Sequence, residues 1–397
     1  MASTRRRYKK NNKRLRPADA PLDAGGLQRL ASLPELFVRI RGCLAVLILG
    51  SGSLAAVTAR AAPMDPALER LILNGATCRT SGGGLPTLTD YTRYNPCEPD
   101  NVAFKRLVNQ YAFAFAPSAM HSARTTGFGG FHISLEAAYT GIDSGRDYWK
   151  KGTQGDSNSA TAENSSPAGI LQLYSVKLRK SFGFGLEIGG SFGVMPKTSL
   201  WATGADVRLS LLEGFRKSVP GMIPDVAVGG GVRTITGTPA MQLTISSLDA
   251  QISKPIPIEN AVVVTPWIGY QYLWIFGDSN VIDFTPKTDA FTTCGYGGIN
   301  APGQAAATNG AYSGQPLCNN SGQVWDFNNN RIFDPVRLRR QRVLIGANVR
   351  YETFMLGAQL ITDLVSPSDA QSGNASKAAL RGENRQYSGT FELGMMF

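Results

Sequence analysis

QYSGTFELGMMF, residues 386–397, alternates without a break. Tyr387, Gly389, Phe391, Leu393, Met395 and Phe397 fall on one side of an extended strand, and Gln386, Ser388, Thr390, Glu392, Gly394 and Met396 on the other. Successive strand residues point to opposite faces. One face of this segment is therefore apolar and the other mostly polar. A soluble domain tends to fray into polar residues at its end, so the apolar face needs a cover of protein or of lipid.

The same two-residue rhythm recurs upstream. Ten stretches of about ten residues begin near residues 130, 170, 186, 200, 225, 241, 262, 339, 355 and 386. In GFHISLEAAY, Phe131, Ile133, Leu135, Ala137 and Tyr139 oppose His132, Ser134, Glu136 and Ala138. In TPWIGYQYLWIF, Pro266, Ile268, Tyr270, Tyr272, Trp274 and Phe276 share a face. The phase slips once: Met241, Leu243 and Ile245 have one parity, Leu248, Ala250 and Ile252 the other. A bulge near Ser246-Ser247 would keep all six on one side.

Connections decide between sandwich and barrel. They alternate between long polar segments (143–169, 277–336 and 366–385 among them) and compact turns near 181–185, 214–224, 255–260 and 352–354. Long loops on one side and short turns on the other mark an outer-membrane barrel. A β-sandwich has no place for a structureless connection as long as 277–336. Aromatics gather near strand ends, as an interfacial girdle requires: Trp201, Trp274 and Phe276 at one end, Phe184, Phe215, Tyr351, Phe354 and Phe397 at the other. The reading is an all-β, antiparallel up-and-down transmembrane barrel of about ten strands over residues 129–397, with long loops outside and a periplasmic N-terminus.

Charge and cysteines agree with export. The chain has 397 residues and a formal charge of +11, but 12 of its 40 Lys and Arg and only 3 of its 29 Asp and Glu lie in residues 1–61, so the remainder is nearly neutral. Arg39 and Arg41 precede the apolar run Cys43 to Val57, and Ala59-Arg60-Ala61 offers small residues to a signal peptidase. Residues 1–61 are read as a signal peptide, with 1–37 too polar for an ordinary leader; a start near Val38 would leave one of ordinary length. The basic run RRRYKKNNKRLR belongs to this segment, and no nucleic-acid partner is expected. Cys78, Cys97, Cys294 and Cys318 remain, an even set that suggests disulfides in an exported chain. Local pairing, Cys78–Cys97 and Cys294–Cys318, is the simplest of three connectivities. Between leader and barrel, residues 62–128 read as a small periplasmic or plug segment with short helices at Pro66–Leu73 and Asn101–Tyr111.

The last strand resembles the C-terminal insertion signal of Gram-negative outer-membrane barrels, a terminal Phe preceded by apolar residues at alternate positions. Tyr387, Phe391, Leu393, Met395 and Phe397 match it. The resemblance implies recognition by the barrel-insertion machinery and a home among outer-membrane lipid and lipopolysaccharide. The stretch AFAFAPSAMHSARTTGFGGFHISL (112–135) resembles the barrel entry of long-chain fatty-acid and hydrocarbon transporters, whose N-terminal hatch sits inside the pore.

Strand parity points Glu136, Lys177, Arg179, Glu187, Asp206, Arg208, Arg233, Asp249, Arg350, Glu352 and Glu392 into the lumen, with Lys254 and Asp363. The set is nearly balanced in sign, which suits either an ion-pair network that closes a narrow barrel or a selective polar pore. His132-Ile133-Ser134 resembles the His-x-Ser of the outer-membrane phospholipase, but Leu135-Glu136 stand where that family has Asn-Gly, and the pair points into the lumen. No enzyme is expected, and no cofactor is required.

DFNNNRIFD (326–334) resembles bacterial surface calcium loops through Asp326, Asn328, Asn330, the Ile332 carbonyl and Asp334. Arg331 replaces the usual turn glycine, and a polar Asn-rich turn is the competing reading. Arg337, Arg339, Arg340 and Arg342 are expected at the outer mouth, where guanidinium forks suit lipopolysaccharide phosphates or simply extend a strand into solvent. The function expected is passage of a small molecule through a plugged or gated lumen. A structural or surface-binding barrel that works through the 277–336 loop is the alternative.

Overall fold

The computed structural model describes residues 62–78, 97–118, 121–156, 162–213, 223–258, 262–284 and 330–397. They form a closed antiparallel barrel of ten strands: β1 Phe131–Gly141, β2 Ile170–Ser181, β3 Leu186–Val194, β4 Trp201–Leu212, β5 Asp225–Thr236, β6 Met241–Ser253, β8 Val262–Ser279, β11 Val336–Tyr351, β12 Phe354–Asp363 and β13 Tyr387–Met396. A short β7, Ile256–Ile258, pairs with β8, and β9 (Ile282–Asp283) pairs with β10 (Asn330–Arg331) beyond the wall. β1 pairs with β13, and Phe131 and Phe397 exchange both backbone hydrogen bonds at 2.8 and 2.9 Å, so the sheet closes without an edge.

Parity along the strands sorts the residues as expected. On β13, Tyr387, Phe391 and Leu393 face outward and are exposed, while Ser388, Thr390, Glu392 and Gly394 are buried inside. The apolar face of the final strand therefore belongs to the belt around the barrel. Leu135, Val176, Leu178, Val207, Leu248, Ile268, Ile345 and Leu360 continue that belt. Phe184, Tyr351, Phe354 and Phe397 rim it at the short-turn end.

β6 departs from the expectation. Its register against β5 and β8 runs unbroken through Ser246-Ser247, so no bulge exists there. The irregularity among the described strands lies instead on β4, between Ser210 and Leu212. Met241, Leu243 and Ile245 truly point inward and Leu248 and Ile252 outward. The apolar residues change face because the inside of the barrel is itself apolar over that stretch.

The described residues between 97 and 130 supply that interior. Helix α1, Asn101–Phe115, begins where the Asp100 side chain accepts from the Ala103 amide at 2.9 Å, and Pro117 follows its end. Phe104, Leu107, Val108, Tyr111 and Phe115 are buried against Leu171, Leu173, Leu243, Ile245, Leu273, Ile275, Val336 and Leu338 of the wall. The helix is four residues longer than its apolar pattern suggested. The expected helix at Pro66–Leu73 shrinks to a 3-10 turn at Leu68–Arg70, because Pro66 and Ile72 are engaged in bridges to Thr153 and Pro99.

The long-loop end is packed rather than open. Helices α2 (Asp147–Gly152) and α3 (Asn374–Ala379) lie in the loops after β1 and β12. The Met64 amide donates to the Lys197 carbonyl at 3.1 Å and the Gly155 amide to the Pro63 carbonyl at 2.8 Å. The first described residues thus sit among the long loops, at the end opposite Phe397. The barrel's own strands begin and end together at the short-turn end, and the preceding segment reaches that end through the lumen.

Cys78 and Cys97 are disulfide-bonded. Cys294, Cys318, Asp326 and Asn328 lie outside the described residues, as do most of the 277–336 loop and the expected leader. Of the calcium-loop residues, Asn330 pairs with Asp283, Ile332 is exposed, and the Asp334 amide donates to the Asn101 side-chain oxygen at 2.8 Å.

Candidate functional site: the plugged lumen

The inward faces of single strands change character part-way along. On β2, Leu171 and Leu173 give way to Ser175, Lys177, Arg179 and Ser181. On β6, Met241, Leu243 and Ile245 give way to Ser247, Gln251 and Ser253, and β8 makes the same change from Ile275 and Leu273 to Gln271. The upper, long-loop half of the lumen is apolar and holds α1. The lower half is polar and holds the extended chain from Ala116 to Gly130.

Where the halves meet, two arginines grip the C-terminal half of α1. Arg340 Nη1 donates to the Asn109 carbonyl at 3.0 Å, and its Nε and Nη2 fork onto Asp363. Arg342 donates to the carbonyls of Phe113 at 3.1 Å and Pro117 at 2.9 Å and to Gln271. Both guanidiniums stack on the Phe113 ring, at 4.5 and 5.1 Å. Phe113 lies in the last turn of α1, whose carbonyls lack intrahelical partners and form the negative pole of the helix, so the Arg342 guanidinium satisfies and stabilises that end. These two residues were expected at an outer mouth toward lipopolysaccharide. They are instead fully buried, because β11 starts further back than its sequence pattern implied and carries them into the lumen. Arg337 does reach the outside, paired with Asp278 at 3.0 Å, and Arg339 is exposed.

Below the grip, each turn of the lumenal chain is tied to the wall. Ser118 donates to Glu136 at 2.7 Å, and Lys177 pairs with Glu136 and Ser118. Arg208 donates to the Ser122 carbonyl at 2.8 Å and Ser210 to the Ala123 carbonyl at 3.0 Å. The amides of Ala123, Thr125 and Thr126 reach Ser253, Glu213 and Glu187, each at 3.0 Å. Arg179 bridges Asp206 at 3.0 Å and Glu187 at 3.8 Å, and Arg233 donates to the Phe115 carbonyl at 3.3 Å. A cavity of about 10 Å³ beside Pro117, Ser118, Asp249 and Gln271 has room for about one water. A wider recess of about 250 Å³ opens among Arg124, Asp225, Lys254 and Pro257 at the short-turn end.

Of the residues assigned to the lumen by parity, Glu136, Lys177, Arg179, Glu187, Arg208, Arg233 and Glu392 are buried inside, with Asp206 and Asp249 partly covered. Arg350 and Glu352 are exposed instead. They lie at the β11–β12 hairpin beyond the lumen, where Glu352 adopts φ 51° in the turn.

At the upper end α1 is clamped by the loops. Gln110 is bonded to Tyr148 at 2.6 Å, Glu383 at 3.0 Å and Trp149 at 2.9 Å. Burial, then the Glu383 carboxylate beside it, holds the Tyr148 phenol well above its ordinary value, so it stays a donor. Sequence reading missed Gln110 and Gln271, since an uncharged amide on a helix or strand gives no signal of its partner.

One cluster stands apart from the ties. His121 of the lumenal chain and His132 of β1 meet edge to face, with ring centroids 5.3 Å apart, and His132 Nε2 lies 3.9 Å from Glu392 Oε1 of β13. His132 and Ser134 point into the lumen, as parity predicted, and away from any lipid substrate.

No model of a known protein family matches the chain, and no curated protein sequence matches it either. Among solved structures it is similar to the attachment invasion locus protein Ail of Yersinia pestis (10 % identity, TM-score 0.23, 68 % of this chain and 100 % of that one). It is also similar to an outer membrane channel from Pseudomonas putida F1 (11 %, TM-score 0.26, 71 % and 99 %). A third is the transport unit of the autotransporter AIDA-I from Escherichia coli (8 %, TM-score 0.28, 74 % and 96 %). Superpositions this loose carry no argument, and the barrel assignment stands on the chain's own strand pairing.

Proposed function

We propose that the chain is an outer-membrane barrel that passes a small molecule through its lumen, with its own residues 62–130 as the gate. One observation carries this reading. The lower lumen is lined by charged and hydroxyl side chains whose partners are mostly the backbone of one extended segment. Water can take over such bonds when the segment shifts, at a net cost of about 1 kcal/mol each. A wall meant only to be filled would be stabilised as well by apolar packing, as the upper half is. The apolar upper wall, once uncovered, favours a solute with an apolar part over a sugar, in keeping with the hydrocarbon-transporter resemblance of residues 112–135.

A locked gate tests the reading. The Ala123 amide and Ser253 side chain are 3.0 Å apart, so Ala123→Cys with Ser253→Cys ties the segment to β6 on oxidation. Liposome uptake of small amphipathic solutes should stop when the pair is oxidised and resume on reduction, with wild-type protein taken through the same treatments. Equal uptake in both states would remove the moving segment from the account.

A further inference from the structure

 His121 and His132 are the chain's two histidines, and both reach Glu392 inside the barrel.

We propose that His121, His132 and Glu392 form a binding site for a divalent transition-metal ion of the zinc type, clasping the lumenal segment to the seam where β1 and β13 close the barrel. Their donor atoms all lie within 4.8 Å of one another. Nitrogen and oxygen donors bind zinc at about 2.0–2.2 Å, so small side-chain rotations bring the three onto one ion. Two imidazoles and one carboxylate are a donor set that zinc accepts, with a fourth position left for water or for Ser134 two residues along β1.

Burial and missing partners point to a ligand rather than to a filled core. All three side chains are more than nine-tenths buried, at 7 %, 1 % and 3 % exposure. His121 Nε2, His132 Nε2 and both Glu392 oxygens have no hydrogen-bond partner, and neither does Ser134 Oγ. Buried polar atoms are paired in the great majority of cases, so this many orphans in one spot ask for a common partner. Gly394, which faces the lumen on β13, makes room for the imidazole itself, since a Cβ there would stand 2.4 Å from His132 Nε2. The neighbouring charges are already matched, Lys177 with Glu136 and Arg179 with Asp206 and Glu187, so the carboxylate of Glu392 is left to offset the ion.

The three ligands come from three places in the chain: the gate segment, the first strand and the last. A bound ion would therefore hold the segment against the closure seam below the arginine grip. The site does not depend on transport, and its test reads binding alone.

The full chain, purified in detergent and stripped with a chelator, is titrated with Co²⁺ as an optical probe. One equivalent per barrel should produce the visible absorption of a low-coordinate cobalt site, and Zn²⁺ should displace it. His121→Ala, His132→Ala and Glu392→Gln should each lose that band while the barrel keeps its heat-modifiable mobility. His121 is outside the strands, so its substitution serves even if the other two impair folding. Absence of the band in the wild-type chain, as expected for a site that holds only water, would overturn the proposal. So would a band that survives both His121→Ala and His132→Ala.

Discussion

The two halves of the lumen are built from the same strands but bind the same N-terminal segment by different means. Above, α1 presents Phe104, Leu107, Val108 and Tyr111 to an apolar wall. Below, the extended chain from Ala116 presents backbone carbonyls and amides to serine, arginine and glutamate. Apolar contact is lost outright when the partner leaves, at about 25 cal/mol for each Å² returned to water. A polar bond is exchanged for one with water and loses little. The upper half is thus the anchor and the lower half the part that can let go, with Arg340 and Arg342 at the boundary.

The boundary should yield the largest effect. Arg340→Ala leaves the buried Asp363 carboxylate without its guanidinium, and breaking a buried pair this way costs about 3–5 kcal/mol. Urea denaturation followed by heat-modifiable mobility reads that loss, and Asp363→Asn in the same chain should recover part of it. Next comes the anchor. Phe104 is fully buried against Phe333, so Phe104→Ala should cost about 3–5 kcal/mol at most and loosen α1 without opening the wall.

In the lower half, Ser210→Ala removes one bond to the Ala123 carbonyl and should cost about 1 kcal/mol. A loss as large as that of Phe104→Ala would erase the distinction between the halves. The face change on β6 offers a separate check. Leu248→Lys puts a charge into the lipid-facing belt and should destabilise by about 2–4 kcal/mol near mid-membrane; a neutral outcome would remove Leu248 from that belt. The smallest effect is at the β11–β12 turn, where Glu352 holds φ 51°. Glu352→Gly relieves that strain and should stabilise by no more than about 1 kcal/mol.

Much of this was legible beforehand. Strand alternation and the long-short rhythm of the connections located all ten barrel strands, and parity placed Glu136, Lys177, Arg179 and Glu392 inside. The bulge expected near Ser246-Ser247 is absent because Met241, Leu243 and Ile245 face an apolar interior, which their parity already records. Arg340 and Arg342 failed for a related reason: a run of arginines on a strand end looks solvated unless the helix terminus that needs them is known. The meeting of His121 with His132 and Glu392 depends on how the segment threads the barrel, which no local pattern encodes.

Planar-bilayer conductance tests the central claim most directly, that the N-terminal segment fills the lumen. The intact chain should insert with no steady open state, while a chain lacking residues 62–118 should give discrete current steps from the vacated lumen. Steady steps of the same size from the intact chain would mean that ions already pass beside the segment, and would contradict the account.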